Sequence, residues 1–190
     1  WDQDFSFDSM AEDISNYLKF KNISKVDMLG HSMGGNLAIY ISNKTPNILN
    51  KIVIVDIVPK KYKNMHQDIL SGLKSIDFNL IGSRREADDK LSSYISDERV
   101  RHFLLKNLYW KSEHKLGFRF NLDVLYDYSK NSITNKFENP ISFKGPALFL
   151  HGKSSNYVNE QDYELINYHY SNASIIKVPN SGHWLHADNP

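Results

Sequence analysis

The chain has 190 residues, of which 41% are hydrophobic and 24% charged, with a formal net charge of +1 and no cysteine. This length and composition fit a globular protein with its own core, and the small net charge gives no reason to expect nucleic acid or an anionic membrane as a partner. The lack of cysteine excludes disulfides, thiolate nucleophiles and zinc–thiolate sites. No apolar run approaches the roughly 18 residues of a membrane span, so we expect no membrane-spanning segment. The lack of cysteine is compatible with a cytoplasmic protein, which is the location we expect.

The first third of the chain predicts a helix followed by a strand–helix–strand unit. Asp8 or Ser9 can cap a helix that ends near Phe20, because either side chain can accept from the free amides of a first turn. The elements that follow are a strand over Lys25–Leu29, a helix over Gly35–Lys44 and a strand over Lys51–Asp56. The nearly continuous Ile/Val run of the second strand is typical of a parallel strand that is buried on both faces. The pattern predicts a βαβ unit.

Between the first strand and the next helix lies the pattern G-x-S-x-G, as Gly30-His31-Ser32-Met33-Gly34. In a strand–turn–helix context this pattern is typical of a nucleophile elbow, whose glycines let the backbone turn sharply and expose the serine Oγ. The next amide, that of Met33, then lies at a helix N-terminus and can stabilise an oxyanion. We therefore predict Ser32 as a nucleophile and the Met33 N–H as an oxyanion donor. The alternative is a glycine-rich turn that happens to hold a serine.

Residues 59–140 are charged and helical in period, and we predict a helical cap there with no strand. The predicted helices are Met65–Ile76, Arg84–Ser92, Asp97–Leu108 and Leu122–Tyr128. A cap inserted at the carboxyl ends of the strands is where a substrate lid belongs. Phe103, Tyr109 and Trp110 are predicted substrate contacts, although such aromatic residues can equally pack the helices together.

The last part of the chain returns to strands. A strand over Ala147–His151, a helix over Asn159–Tyr170 and a strand over Ser174–Val178 are predicted. The predicted organisation is a mostly parallel α/β sheet built from residues 1–58 and 141–190, with the cap of residues 59–140 inserted after the strand that ends at Asp56.

A serine nucleophile requires a base, and the base requires an orienting carboxylate. His183 is the predicted base, because it lies on a loop after the last strand and follows the small residues Ser181 and Gly182. His186, three residues further on, is the second candidate. The remaining histidines show no convincing metal-ligand spacing, so we predict no metal site.

The acid is predicted from the ends of the strands. The loop Gly152–Tyr157, after the third strand, contains no carboxylate, whereas Asp56 ends an otherwise apolar strand. An unpaired buried carboxylate is costly, and pairing with His183 would remove that cost. The alternatives are that Asp56 accepts from the backbone amides of a turn, or that Asp162 or Glu160 supplies the acid.

Several segments together resemble one family. They are Gly30-His31-Ser32-Met33-Gly34-Gly35, Val55-Asp56-Ile57-Val58-Pro59, Ser154-Ser155-Asn156-Tyr157-Val158 and the stretch from Gly182 to Pro190. They resemble the YbfF-type carboxylesterases of the α/β-hydrolase superfamily, a group that includes the mitochondrial abhydrolase-domain esterases. The resemblance implies the α/β-hydrolase fold, the triad Ser32–Asp56–His183, no cofactor, and hydrolysis of short to medium acyl esters or thioesters, acyl-CoA included. His31 and Trp184 are further predicted substrate contacts.

The resemblance also predicts that the chain is a piece of a longer esterase. Family members are expected to carry earlier strands, one of which pairs with Lys25–Leu29, and a His-Gly loop that supplies the second oxyanion amide. The strand Lys25–Leu29 is therefore expected to be an open sheet edge. A targeting segment lost with the N-terminus would replace the cytoplasmic expectation with an organelle. The alternative functions are perhydrolase or C–C hydrolase or lyase chemistry on the same fold, or an inactive fragment.

Overall fold

The structure is a computed structural model that describes residues 5–62, 67–113, 115–130 and 137–190. The described residues divide into two compact units. The sheet unit comprises residues 6–61 and 137–190, and the helical unit comprises Phe5 and the described residues between 62 and 130. In chain order the elements are α1 (Phe7–Phe20), β1 (Val26–His31), α2 (Met33–Lys44), a 3-10 turn (Pro46–Ile48), β2 (Leu49–Val55), α3 (Gln67–Lys74), α4 (Arg84–Ser92), α5 (Glu98–Leu105), β3 (Leu108–Ser112), β4 (Lys115–Phe118), α6 (Leu122–Lys130), β5 (Ala147–Gly152), α7 (Asp162–His169), β6 (Ala173–Val178) and α8 (Leu185–Asp188).

The sheet unit contains a four-stranded sheet in the order β1-β2-β5-β6, with every neighbouring pair parallel. The register pairs His31 with Val55 and Val55 with Leu150. Because these strands end level with one another, the residues that follow β1 and β2, Ser32 and Asp56, emerge at the same edge of the sheet. The Ser32 amide donates to the Val55 carbonyl at 3.0 Å, which holds the two strand ends together. The predicted mostly parallel α/β sheet is confirmed.

The edge of the sheet at β1 is exposed in the described part of the chain, where β2 is its one hydrogen-bonded neighbour. Leu29 on this strand is 68% exposed. By contrast, Ile52 and Ile54 of β2 are buried, as the Ile/Val run predicts for a strand inside a parallel sheet. None of the described helices is long and apolar enough to cross a membrane.

The first helix is capped two or three residues earlier than predicted, at Ser6. The Ser6 hydroxyl accepts from the Ser9 amide while the Ser9 side chain accepts from the Ser6 amide, so the two residues form a capping box. Asp8 is instead engaged by the Tyr40 hydroxyl of α2, which donates to its carboxylate. A long-range partner therefore takes the side chain that local sequence would use as the cap.

The helical unit has its own apolar core, and it contains strands that the sequence analysis did not predict. The buried residues that form this core are Leu73, Ile76, Ala87, Leu91, Ile95, Leu105 and Leu108. The expectation of no strand between residues 59 and 140 is wrong, because β3 and β4 form an antiparallel hairpin that pairs Trp110 with Leu116. Neither strand contains Val or Ile, and the three-residue spacing of buried Leu105 and Leu108 imitates a helix. The predicted start of the first cap helix, at Met65, lies outside the described residues.

Candidate active site

Ser32 occupies a sharp turn between β1 and α2. Its backbone angles are φ 53° and ψ −116°, in a region that residues other than glycine rarely adopt. Such a conformation costs about 1–3 kcal/mol and persists when the surrounding structure enforces it. A Cβ on Gly30 would lie 2.2 Å from the Gly34 carbonyl oxygen, so the turn requires glycine at this position.

The second close approach in the turn falls on Gly35 rather than on Gly34. A Cβ on Gly35 would lie 2.5 Å from the Ile57 side chain, whereas a Cβ on Gly34 would have nothing within 4 Å. The pattern G-x-S-x-G therefore locates the turn, but the tight packing of α2 against the chain after β2 depends on the glycine that follows the pattern.

The side chains of Ser32, His183 and Asp56 form a continuous hydrogen-bonded chain. His183 Nε2 lies 3.0 Å from Ser32 Oγ, and His183 Nδ1 lies 2.7 Å from Asp56 Oδ2. A carboxylate oxygen accepts, so Nδ1 carries the proton and Nε2 of the neutral ring accepts from the serine hydroxyl. In this tautomer the imidazole is placed to remove the serine proton.

Asp56 is fully buried, and three hydrogen-bond donors among the described residues surround its carboxylate. The Gly152 amide donates to Oδ1 at 3.1 Å, and the Ser155 hydroxyl donates to Oδ2 together with His183. These donors stabilise a buried carboxylate. Asp56 also has a positive φ of 52°, so backbone strain occurs at this position as it does at Ser32. Asp56 therefore both accepts from a backbone amide, which was the alternative, and pairs with His183.

The loop after β5 contributes two contacts that the sequence analysis missed. Ser155 donates to Asp56, and the Tyr157 ring stacks on the His183 ring with centroids 3.8 Å apart and planes at 16°. Burial, and next the charge of Asp56, raise the pKa of Tyr157, so its phenol is neutral near neutral pH. The available signal was the resemblance itself, whose motif contains both residues. The loop contains no carboxylate, so none of its residues is a candidate for the acid.

His31 contacts the loop that carries His183. Its Nε2 lies 2.7 Å from the His183 carbonyl oxygen, and because a carbonyl only accepts, His31 Nε2 carries a proton and donates. The two rings are 4.7 Å apart. Burial is the main cause that lowers the pKa of His31, so the ring is neutral near neutral pH. Its predicted contact with substrate stays a prediction.

The alternative acids, Asp162 and Glu160, and the alternative base, His186, contact other residues. Asp162 pairs with Lys60 at 2.6 Å, and Glu160 pairs with Lys177. The His186 ring lies 5.4 Å from the His31 ring and 6.4 Å from that of Trp184, on the short helix α8. His183 is therefore the histidine that contacts both Ser32 and Asp56.

The oxyanion and substrate predictions differ in what the structure shows of them. Met33 is the first residue of α2, where amides have no carbonyl partner within the helix and the helix dipole favours negative charge. Trp184 follows His183 in the chain and directly precedes α8, and its side chain is partly buried. Phe103, Tyr109 and Trp110 belong to the helical unit, and their predicted substrate contacts stay predictions.

Comparison with known proteins gives consistent matches. A family model described as alpha/beta hydrolase fold matches residues 1–190. The sn-1-specific diacylglycerol lipase ABHD11 of Danio rerio is 33% identical over 97% of this chain and 60% of its own length. Esterase YbfF of Escherichia coli is 28% identical over 97% of this chain and 70% of its own length. A solved structure of a marine microorganism esterase is 34% identical, with a TM-score of 0.92, over 100% of this chain and 75% of that one.

These matches confirm the predicted resemblance to YbfF-type esterases and abhydrolase-domain proteins. The chain spans 60% of the length of the Danio rerio relative.

Proposed function

The chain belongs to the α/β-hydrolase family, and from this premise we propose that it is a serine hydrolase that cleaves carboxylic esters through an acyl-enzyme on Ser32. The observation that carries the proposal is the hydrogen-bonded chain from Ser32 Oγ through His183 to Asp56. The fold alone would not specify the reaction, because one fold supports many chemistries. Ser32 at the elbow also argues against a dehalogenase, because a dehalogenase requires a carboxylate nucleophile at that position.

The first half of the reaction forms the acyl-enzyme. Ser32 Oγ attacks the acyl carbon while its proton passes to His183 Nε2, and the carbonyl oxygen becomes an oxyanion that the Met33 N–H stabilises. The bond from the acyl carbon to the leaving oxygen then breaks, and the leaving group takes the proton from His183. Asp56 keeps the imidazole in the correct tautomer and stabilises the imidazolium that forms.

The second half regenerates the serine. A water molecule attacks the acyl carbon as His183 Nε2 takes one of its protons, and the bond from that carbon to Ser32 Oγ breaks. The proton returns to Ser32 Oγ, and the carboxylic acid leaves. No cofactor enters either half of this proposed cycle.

The proposed substrates are esters of short to medium acyl chains, with thioesters such as acyl-CoA as a second class. The names of the relatives support the ester class, since one is called an esterase and another a diacylglycerol lipase. Thioesters undergo the same acyl transfer with a thiolate leaving group, so the same residues can act on both classes.

Hydrolysis of a chain-length series tests the proposal. We expect wild-type protein to hydrolyse p-nitrophenyl esters from acetate to decanoate with a preference for the shorter chains, and Ser32→Ala to lose this activity. Release of free thiol from acetyl-, butyryl- and octanoyl-CoA measures thioester cleavage separately. Ester hydrolysis that Ser32→Ala retains would contradict the assignment of Ser32, and ester cleavage without thiol release would restrict the substrate class to oxygen esters.

A further inference from the structure

We propose that Tyr157 is a positioning residue, whose ring holds the His183 imidazole in place and stabilises its protonated form through the face of the π system. This inference rests on the proposed function, because the protonated imidazole forms during turnover. The observation that carries it is the nearly parallel stack of the two rings, with centroids 3.8 Å apart and planes at 16°. The face of an aromatic ring carries negative electrostatic potential and attracts a cation within about 6 Å.

The stack completes the restraint of the imidazole. Hydrogen bonds to Asp56 and Ser32 fix two edges of the His183 ring, but they leave it free to tilt about the line that joins them. Contact with the flat face of Tyr157 restricts that tilt. The serine proton therefore meets Nε2 in a fixed direction, which matters because small misplacements cost much of the benefit of an oriented base.

The loop that presents Tyr157 is anchored on both sides of the site. The Tyr157 amide donates to Ser155 Oγ at 3.2 Å, and Ser155 in turn donates to Asp56. The Ser154 amide donates to the Ser181 carbonyl at 2.9 Å, which ties this loop to the segment that leads to His183. Val158, next to Tyr157, is buried. The phenol ring is thus held against the imidazole before substrate binds.

The electrostatic benefit grows as the reaction proceeds. In the resting state the Tyr157 face contacts a neutral imidazole, and after proton transfer from Ser32 it contacts an imidazolium. An interaction that strengthens in the transition state raises kcat, whereas one that is equal in both states does not. Among the residues that the structure describes, Asp56 at Nδ1 and the neutral ring of His31 also contact the His183 ring. Asp56 stabilises the imidazolium along the ring edge, while Tyr157 does so across the ring face.

Three substitutions separate the π face from simple packing. Tyr157→Phe keeps the face, Tyr157→Leu removes it, and pentafluorophenylalanine at position 157 keeps the shape while it reverses the sign of the potential on the face. The last variant preserves the stack sterically, so it tests the proposal even if Tyr157→Leu does not fold. Tyr157→Phe is the matched control for both.

The first measurement is the pH titration of the His183 ring by nitrogen NMR, with its signals assigned from their loss in His183→Gln. We expect the midpoint in Tyr157→Phe to match wild type, and the midpoint in the leucine and pentafluoro variants to fall by about 0.3–1 pH unit, because the protonated ring loses stabilisation. Equal midpoints in all four proteins would overturn the proposal. This measurement needs no activity, so it remains decisive if the proposed function fails.

The second measurement is turnover of p-nitrophenyl butyrate. We expect kcat to fall by about 3- to 30-fold in the leucine and pentafluoro variants with little change in KM, while Tyr157→Phe stays within about twofold of wild type. Equal loss in Tyr157→Phe and the pentafluoro variant, or no loss in any variant, would overturn the role in turnover. A wild-type protein that binds no fluorophosphonate at Ser32 would instead overturn the proposed function alone.

Discussion

Replacing Asp56 by asparagine tests how the buried carboxylate orients His183. The substitution preserves the size of the side chain but leaves one oxygen to accept where the carboxylate has two. Three groups donate to Asp56 in the structure, namely the Gly152 amide, the Ser155 hydroxyl and His183 Nδ1. A carboxamide has one acceptor oxygen, so it cannot accept from Gly152 on one side and from Ser155 and His183 on the other.

The geometry decides which way the carboxamide turns. With its oxygen toward His183, the amide NH2 would face the buried Gly152 N–H, and an unsatisfied buried donor costs about 1–3 kcal/mol. With its oxygen toward Gly152, the NH2 donates to His183 Nδ1, and the Ser155 hydroxyl can rotate to accept. The second arrangement places the proton of His183 on Nε2, which faces Ser32. A protonated Nε2 cannot accept the proton of the serine hydroxyl. Loss of the correct tautomer corresponds to about 10⁴-fold in kcat, or about 5.5 kcal/mol of barrier.

The assay compares kcat/KM for p-nitrophenyl butyrate in wild type, Asp56→Asn and the control Asp162→Asn. Asp162→Asn makes the same replacement of a carboxylate by a carboxamide, but the Asp162 carboxylate pairs with Lys60 rather than with His183. We expect the control to stay within about twofold of wild type in kcat/KM, because the Asp162 carboxylate accepts from Lys60 and the Asn159 amide and orients no group of the Ser32–His183 pair. Circular dichroism checks that both variants fold. A folded Asp56→Asn protein with kcat/KM within tenfold of wild type, or an equal loss in Asp162→Asn, would contradict the role of Asp56 in setting the tautomer of His183.

Three further predictions concern the loop, the turn and the pH dependence of stability. Ser155→Ala removes one donor to Asp56, and we expect kcat/KM to fall about 5- to 50-fold in the same assay; an unchanged value would show that this donor does not matter. In urea denaturation, Gly30→Ala should lose about 3 kcal/mol or more because its Cβ would meet the Gly34 carbonyl, whereas Gly34→Ala, with open space around it, should be neutral or slightly stabilised; equal effects would contradict the geometry of the turn. Burial lowers the pKa of His169 below the ordinary histidine value of 6.5, so the unfolded state takes up the proton first as pH decreases, and the free energy of unfolding should fall below that pH. The slope contributed by His169 is at most about 1.4 kcal/mol per pH unit and should disappear in His169→Gln; an identical slope in both proteins would contradict it.

The central elements of the sheet unit could be predicted from sequence because their signals are local. The Ile/Val run of β2, the G-x-S-x-G pattern and the aspartate at a strand end each depend on residues that are adjacent in the chain. Parallel pairing then places Ser32 and Asp56 at one edge, which the carboxyl-end rule for parallel sheets anticipates. His183 was predicted from its place after the last strand, and the structure brings it into contact with both residues.

What sequence reasoning missed depends on contacts between distant segments. Ser155 and Tyr157 lie about a hundred residues from Asp56 in the chain. Both belong to a motif that carries the family resemblance, but no local chemical pattern assigns either side chain a contact with Asp56 or His183. The contact of His31 with the His183 carbonyl joins residues that are 152 positions apart in the chain. The β3–β4 hairpin was missed for a different reason, because it pairs leucine and aromatic residues without the β-branched residues that usually indicate a strand.

Labelling with a fluorophosphonate, followed by mass spectrometry of the labelled peptide, shows whether Ser32 is an activated nucleophile. The reagent modifies a serine only when a base activates it, so labelling reports the assembled site rather than the fold. We expect a single adduct at Ser32 in folded wild-type protein, no adduct in Ser32→Ala, and labelling at least about 100-fold slower in His183→Ala. A folded wild-type protein that stays unlabelled, or an adduct at another serine that Ser32→Ala retains, would contradict this expectation.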